Sequence, residues 1–170
     1  SWSGSTHQGK IGLLVALHKS NELHNSGANL QPYLLQYERL EDACISYNGN
    51  VLDVHQVKAR ANDRTIGAYT EALESFENAG TGKYLHTICE ITNWANLTAA
   101  QNPRAVSRYI YPDGRNYCPL TAIYTLIDSE IETLLTNQNH LQSSNAAYRE
   151  SCYNEFLARL DDKIRYEHHF

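Results

Sequence analysis

Apolar positions fall into two regimes along the chain. From Lys10 to Leu23, Ile11, Leu13, Leu14, Leu17 and His18 recur at near-helical intervals, which predicts a first amphipathic helix. Asn25, Ser26, Gly27 and Asn29 interrupt it. From Tyr33 to Leu40, Tyr33, Leu35 and Tyr37 alternate with Leu34, Gln36 and Glu38, and the aromatic content suits a strand better than a helix. Asp42 to Tyr47, the turn signal Asn48-Gly49-Asn50 and the branched residues of Val51 to Ala59 read as a β-hairpin. After Asn62 and Asp63, the spacing of Ile66, Tyr69, Leu73 and Phe76 predicts a helix stopped near Gly80 and Gly82. Lys83 to Thr92, with Tyr84, Leu85, Ile88 and Ile91, fits a further strand. Then the period changes: Pro119 to Thr136 and Ala146 to Tyr166 read as two long helices, whose apolar stripes should pack on each other or on a partner. No repeat of fixed period interrupts this α/β order.

Composition narrows the class. The 170 residues are 42% apolar and 19% charged, enough for one core. Without an apolar run of about 18 residues, neither a membrane span nor a wholly disordered chain is expected. A net charge of −5 argues against a general nucleic-acid coat but not against a local basic groove. The chain has no Met, so a piece cut from a longer protein is expected. Ser1-Trp2-Ser3-Gly4-Ser5 looks more like an artificial junction than a signal peptide, which makes a cytoplasmic setting the default. Cys44, Cys89, Cys118 and Cys152 are too far apart for CxxC zinc pairs and read as free, buried thiols. Phosphate-cradling GxGxxG or GxxxxGK[ST], GxSxG and HExxH patterns are all missing, which weakens a conventional small-molecule enzyme.

The chemistry concentrates around the hairpin. In a strand Gln56 and Lys58 project to one face, which Val54 and Leu52 continue inward, so polar groups replace apolar ones at its end. The hairpin brings the Asp42 carboxylate towards them, and Glu38 enters from the end of the preceding strand. Carboxylates and an amide oxygen are hard ligands for Mg²⁺ or Mn²⁺, and an ammonium stabilises charge on a phosphate. Asp53 and His55 lie on the opposite face; His86 is a candidate to approach the site from the next strand. His168 and His169 are expected to be exposed, and Arg60, Arg64, Arg104 and Arg108 are candidates for phosphate contacts.

Asp42 followed across a hairpin by Gln56-Val57-Lys58 resembles the Asp…(Asp/Glu/Gln)-x-Lys core of restriction-endonuclease-like nucleases, in the variant with Gln at the second position. The wider Glu38…Glu41-Asp42…His55-Gln56-Val57-Lys58-Ala59 is similar to nuclease-like domains of bacterial antiphage systems, among them the Cap-type endonuclease domains and the C-terminal domains of the ABC three-component conflict systems. The resemblance covers residues 9–92. It implies an α/β, restriction-endonuclease-like αβββαβ core there; the additional C-terminal helices over 93–170 lie outside the resemblance and, from their apolar stripes, are expected to pack on that core as part of the same domain or as a subdomain. The resemblance further implies DNA cleavage in a bacterial cytoplasm with Mg²⁺ or Mn²⁺ held by Asp42, Gln56 and Glu38, Lys58 completing the catalytic set. Two departures stand out: no Pro precedes Asp42, and Gln56 brings no charge, so metal affinity would lean on Asp42 and Glu38. The competing expectation is an inactive module of the same fold that assembles with an ATPase or sensor partner, or with copies of itself.

Overall fold

The structure is a computed structural model; it describes residues 6–37 and 41–168, with side chains as far as 161. The elements run α1 (His7–Asn25), β1 (Tyr33–Tyr37), β2 (Ala43–Tyr47), β3 (Asn50–Lys58), α2 (Thr70–Ser75), β4 (Gly82–Thr87), β5 (Ser107–Arg108), α3 (Ile123–Asn137) and α4 (Ala146–His168). They form two compact units, one of Ser1–Gln31 with Leu120–Phe170, the other of Pro32–Pro119.

The second unit is a five-stranded mixed sheet in the order β1-β2-β3-β4-β5. β1, β2 and β3 form an antiparallel meander, while β3 with β4 and β4 with β5 are parallel. Asn48 and Gly49 close the β2–β3 hairpin, both at positive φ (48° and 82°), the conformation whose twist matches that of the flanking strands. A bulge between Ile45 and Ser46 shifts the register. As a result Val51, rather than the expected Leu52, packs with Val54 against the core of Cys44, Leu85, Tyr69, Leu73 and Phe76.

Two parallel strands need a crossover, and the segment between β3 and β4 supplies it. The predicted single helix is instead a 3-10 turn, Ile66–Ala68, and the six-residue α2, separated by Tyr69 at φ −117°. Neither piece is capped by the side chain of its own N-cap residue, though Asn93 Oδ1 accepts from Ile66 N at 2.9 Å, and Phe76 leaves the helix with ψ 136° to bury its ring. The crossover returns through Gly80, at φ +71°, where a Cβ would collide with the carbonyl oxygen of Leu52. That carbonyl accepts from Thr81 N at 2.9 Å, so the bulged residue docks the start of β4. Gly80→Ala is therefore expected to cost about 1–3 kcal/mol, measurable as a lowered urea midpoint. β4 ends at Thr87, short of the predicted Thr92, because Thr87 Oγ1 turns to donate to Cys89 O and its carbonyl accepts from Cys118 N.

The first unit is helical. α1, capped by Thr6 Oγ1 on Gly9 N, buries Ile11, Leu14, Val15 and Leu17, and α3 buries Ile123, Ile127, Ile131 and Leu135. The side chain of Asn145 caps the start of α4 by accepting from Ala147 N and Tyr148 N. Arg149 grips Asp128 of α3 with two nitrogens at 2.8 and 3.3 Å, and the Tyr153 ring meets Tyr124 edge-on at 4.9 Å. The predicted stripes thus pack α1 on α3 and α3 on α4, while Phe156, Leu157 and Leu160 remain part-exposed. No helix among the described residues is long and apolar enough to cross a membrane.

Candidate functional site

β3 positions the site. Val54 faces the apolar core, and two and four residues on, Gln56 and Lys58 project the same way and line an open cavity of about 160 Å³. Arg60 completes this wall, while Ala68, Glu71, Ala72 and Ser75 form the opposite one. The pocket is polar because the alternation of β3 runs past the last core residue of α2.

Gln56 Oε1 is buried and has no hydrogen-bond partner among the described residues. An orphaned carbonyl oxygen is costly, on the order of 1–3 kcal/mol, and native sites tolerate one where a ligand supplies the missing donor or cation. Arg60 N bonds the carbonyl of Lys58 at 3.0 Å, turning the chain sharply at the end of β3. Its guanidinium donates to Ala68 O at 2.6 Å and lies 5.9 Å over the Tyr69 ring, which fixes its place at the rim.

Asp42 stands beside this cavity rather than in its wall. Ala43 pairs with His55, so Asp42 is level with Gln56 one step further along the strands. Its Oδ2 accepts from Val57 N at 2.6 Å, the peptide between Gln56 and Lys58. Glu41, at φ 56°, secures the approach: its Oε1 accepts from Glu77 N just beyond α2. Burial pushes the Glu41 carboxyl up, against the bond from Glu77 N and the charge of Lys58, with the Asp42 and Glu77 charges adding to the rise. Of the four expected site residues, Gln56 and Lys58 share the cavity, Asp42 is tied to the backbone between them, and Glu38 lies outside the described residues. Of the remaining lining residues, Arg60 is one of the arginines that the sequence offers for phosphate contacts, whereas Glu71 and Ser75 carry no signal in the sequence.

The opposite face of the sheet holds a different cluster. His55 Nδ1 meets His86 Nε2 at 2.9 Å, and His86 Nδ1 meets the Tyr111 hydroxyl at 2.5 Å. Tyr84 stacks on His55, and Tyr109 packs against both imidazoles. His86 pairs in register with Val57, so it turns away from Gln56 and Lys58 instead of approaching them. Burial holds the Tyr111 hydroxyl well above its ordinary titration range. His55 is buried and hydrogen-bonded within the sheet, as the alternation of β3 predicts. Among the other candidates, Arg108 sits 5.3 Å over the Trp94 ring, Cys44, Cys89 and Cys118 are buried whereas Cys152, on α4, is only half-buried, and the side chains of His168 and His169 lie outside the described residues.

Residues 106–169 match the family model of C-terminal domain 1 of the ABC-three component (ABC-3C) systems. No curated protein and no solved structure gave a match. The match runs from just before β5 through α3 and α4. It supports the antiphage ABC-3C context, on a different stretch from the hairpin that carries the nuclease resemblance.

Proposed function

We propose that the chain works in an ABC three-component antiphage system and carries, at the end of β3, a metal-dependent nuclease site of restriction-endonuclease type that cleaves DNA. The observation that carries the nuclease reading is the buried, unpartnered Gln56 Oε1 in one cavity with Lys58. With the Asp42 carboxylate it makes an oxygen-only donor set whose chemistry fits Mg²⁺ or Mn²⁺. Among the described residues no three His, Cys, Asp or Glu side chains gather to hold a metal, and the third ligand in this reading is Glu38. Bound there, the ion would screen the phosphate and lower the pKa of a water. Lys58 orients the scissile phosphate and stabilises the charge that develops on it. Asp42 is kept in place by Val57 N, and the Glu41–Glu77 bond restrains the chain before it.

The second reading, a module that assembles with the other components without cleaving DNA, is favoured by the match of residues 106–169 to a C-terminal domain of such systems. Incubating duplex DNA with the protein in Mg²⁺ or Mn²⁺, with and without the partner components, separates the two. Cleavage that EDTA stops is expected. Intact DNA under every condition, with the components still co-purifying, would establish the assembly role in place of the nuclease.

A further inference from the structure

The cavity carries more positive charge than the proposed cleavage chemistry uses. Lys58 and Arg60 both line it, against the single carboxylate of Glu71, in a chain whose net charge is −5. Arg60 is also held in advance. Its main chain is bent back onto the Lys58 carbonyl, its Nη1 is bound to Ala68 O, and its guanidinium rests over Tyr69, whose hydroxyl is anchored on Asp63 O at 2.6 Å. Asp63 Oδ2 is 3.8 Å from Nη1, a long contact between two side chains each more than 40% exposed, which solvent screens. A guanidinium has five N–H donors, and the bond to Ala68 O takes one. The fork that remains suits the paired oxygens of a phosphate.

From this placement we infer that Arg60 is a positioning residue for the nucleic-acid backbone: it holds the phosphate next to the one that Lys58 faces and so sets the register of the strand in the cavity. The inference rests on the nuclease reading for its ligand, but it concerns binding and is tested without cleavage.

Duplex DNA is titrated by fluorescence anisotropy in EDTA over a range of salt concentrations, with inorganic phosphate as a competitor. Arg60→Gln is expected to weaken binding by about five- to tenfold near 0.1 M salt and to flatten the log–log salt slope by about 0.9, the signature of one lost phosphate contact. Arg60→Lys, which keeps the charge but gives up the guanidinium fork and its bond to Ala68 O, should retain the slope. An unchanged slope in Arg60→Gln, or a slope lost equally in Arg60→Lys, overturns the assignment; so does inorganic phosphate that competes as strongly as the duplex. If the wild-type chain shows the expected binding pattern yet never cleaves DNA, the nuclease reading falls and the role of Arg60 in binding stands.

Discussion

In the Lys58→Ala protein, Mg²⁺-dependent DNA cleavage should fall by about 10²–10³-fold, the usual cost of removing one preorganised group that stabilises charge in the transition state. The side chain is part-exposed at the end of β3 and lies beyond the apolar core, so its loss removes little packing and the unfolding midpoint should stay within experimental scatter. The loss should appear in kcat more than in KM, because the ammonium acts on charge that develops during the reaction. Asp53→Asn is the matched control: it alters charge on the same strand but on the face turned away from the cavity, and near-isosteric Asn keeps the contact with the start of β4. Full activity in that variant beside a collapse in Lys58→Ala ties the effect to the cavity. Equal losses in both would locate the damage in the strand and remove the chemical role of Lys58.

The sequence made the hairpin, α1, α3 and α4 legible for separate physical reasons. Asn48-Gly49 is among the few dipeptides that take two consecutive positive φ angles at low cost, and the long helices repeat their apolar residues over several turns. Period-two alternation correctly set Gln56 and Lys58 on one face and His55 on the other. Alternation says nothing, however, about a neighbouring strand until the register is known, so the sequence leaves His86 as a candidate to approach the site, and only its pairing with Val57 puts it on the other face. β5 is two residues long and leaves no periodic trace. The crossover was read as one helix because Ile66, Tyr69, Leu73 and Phe76 keep helical spacing; all four are core residues, but they reach the core from a 3-10 turn, a short helix and an extended residue. The far wall of the cavity is illegible for a related reason: Glu71 and Ser75 come to line one cavity with Gln56 only once those pieces have folded over the strand, and no local pattern records that. His18 was read as part of an apolar face, whereas it bonds a carboxylate 112 positions away.

That carboxylate, Glu130, is the polar centre of the helical unit. It is 8% exposed; its Oε1 is 3.0 Å from His18 Nδ1 and its Oε2 accepts from Asn21 Nδ2 at 2.7 Å, while Asn21 also donates to the Glu130 carbonyl. Burial pushes the Glu130 carboxyl up, but the bonds from His18 and Asn21 and the His18 charge outweigh it and leave the group below its ordinary 4.5. The bond to Glu130 is the main cause of the opposite movement of His18, which is raised above 6.5 against its own burial, with Glu22 adding to the rise. The signs then fix the pH dependence. The stabilisation linked to His18 is complete below 6.5 and disappears as pH rises through its folded value, and that linked to Glu130 is complete above 4.5 and disappears as pH falls through its folded value. Both contributions are whole between those limits, while burial of His7 in the same helix as His18 holds its imidazole down to about 4 and works the other way below 6.5. The pair is therefore read as the gap in urea midpoint between the wild-type chain and a Glu130 variant, which should be wider at about pH 5.5 than at about pH 8. Glu130→Ala strands a buried amide donor and removes the partner of the imidazole, and is expected to cost about 1–3 kcal/mol at about pH 5.5. Glu130→Gln keeps the shape and an acceptor but not the charge; it should cost less than Glu130→Ala, and more at about pH 5.5 than at about pH 8. If Glu130→Gln costs the same at both pH values, the His18–Glu130 pair is structural without being charged.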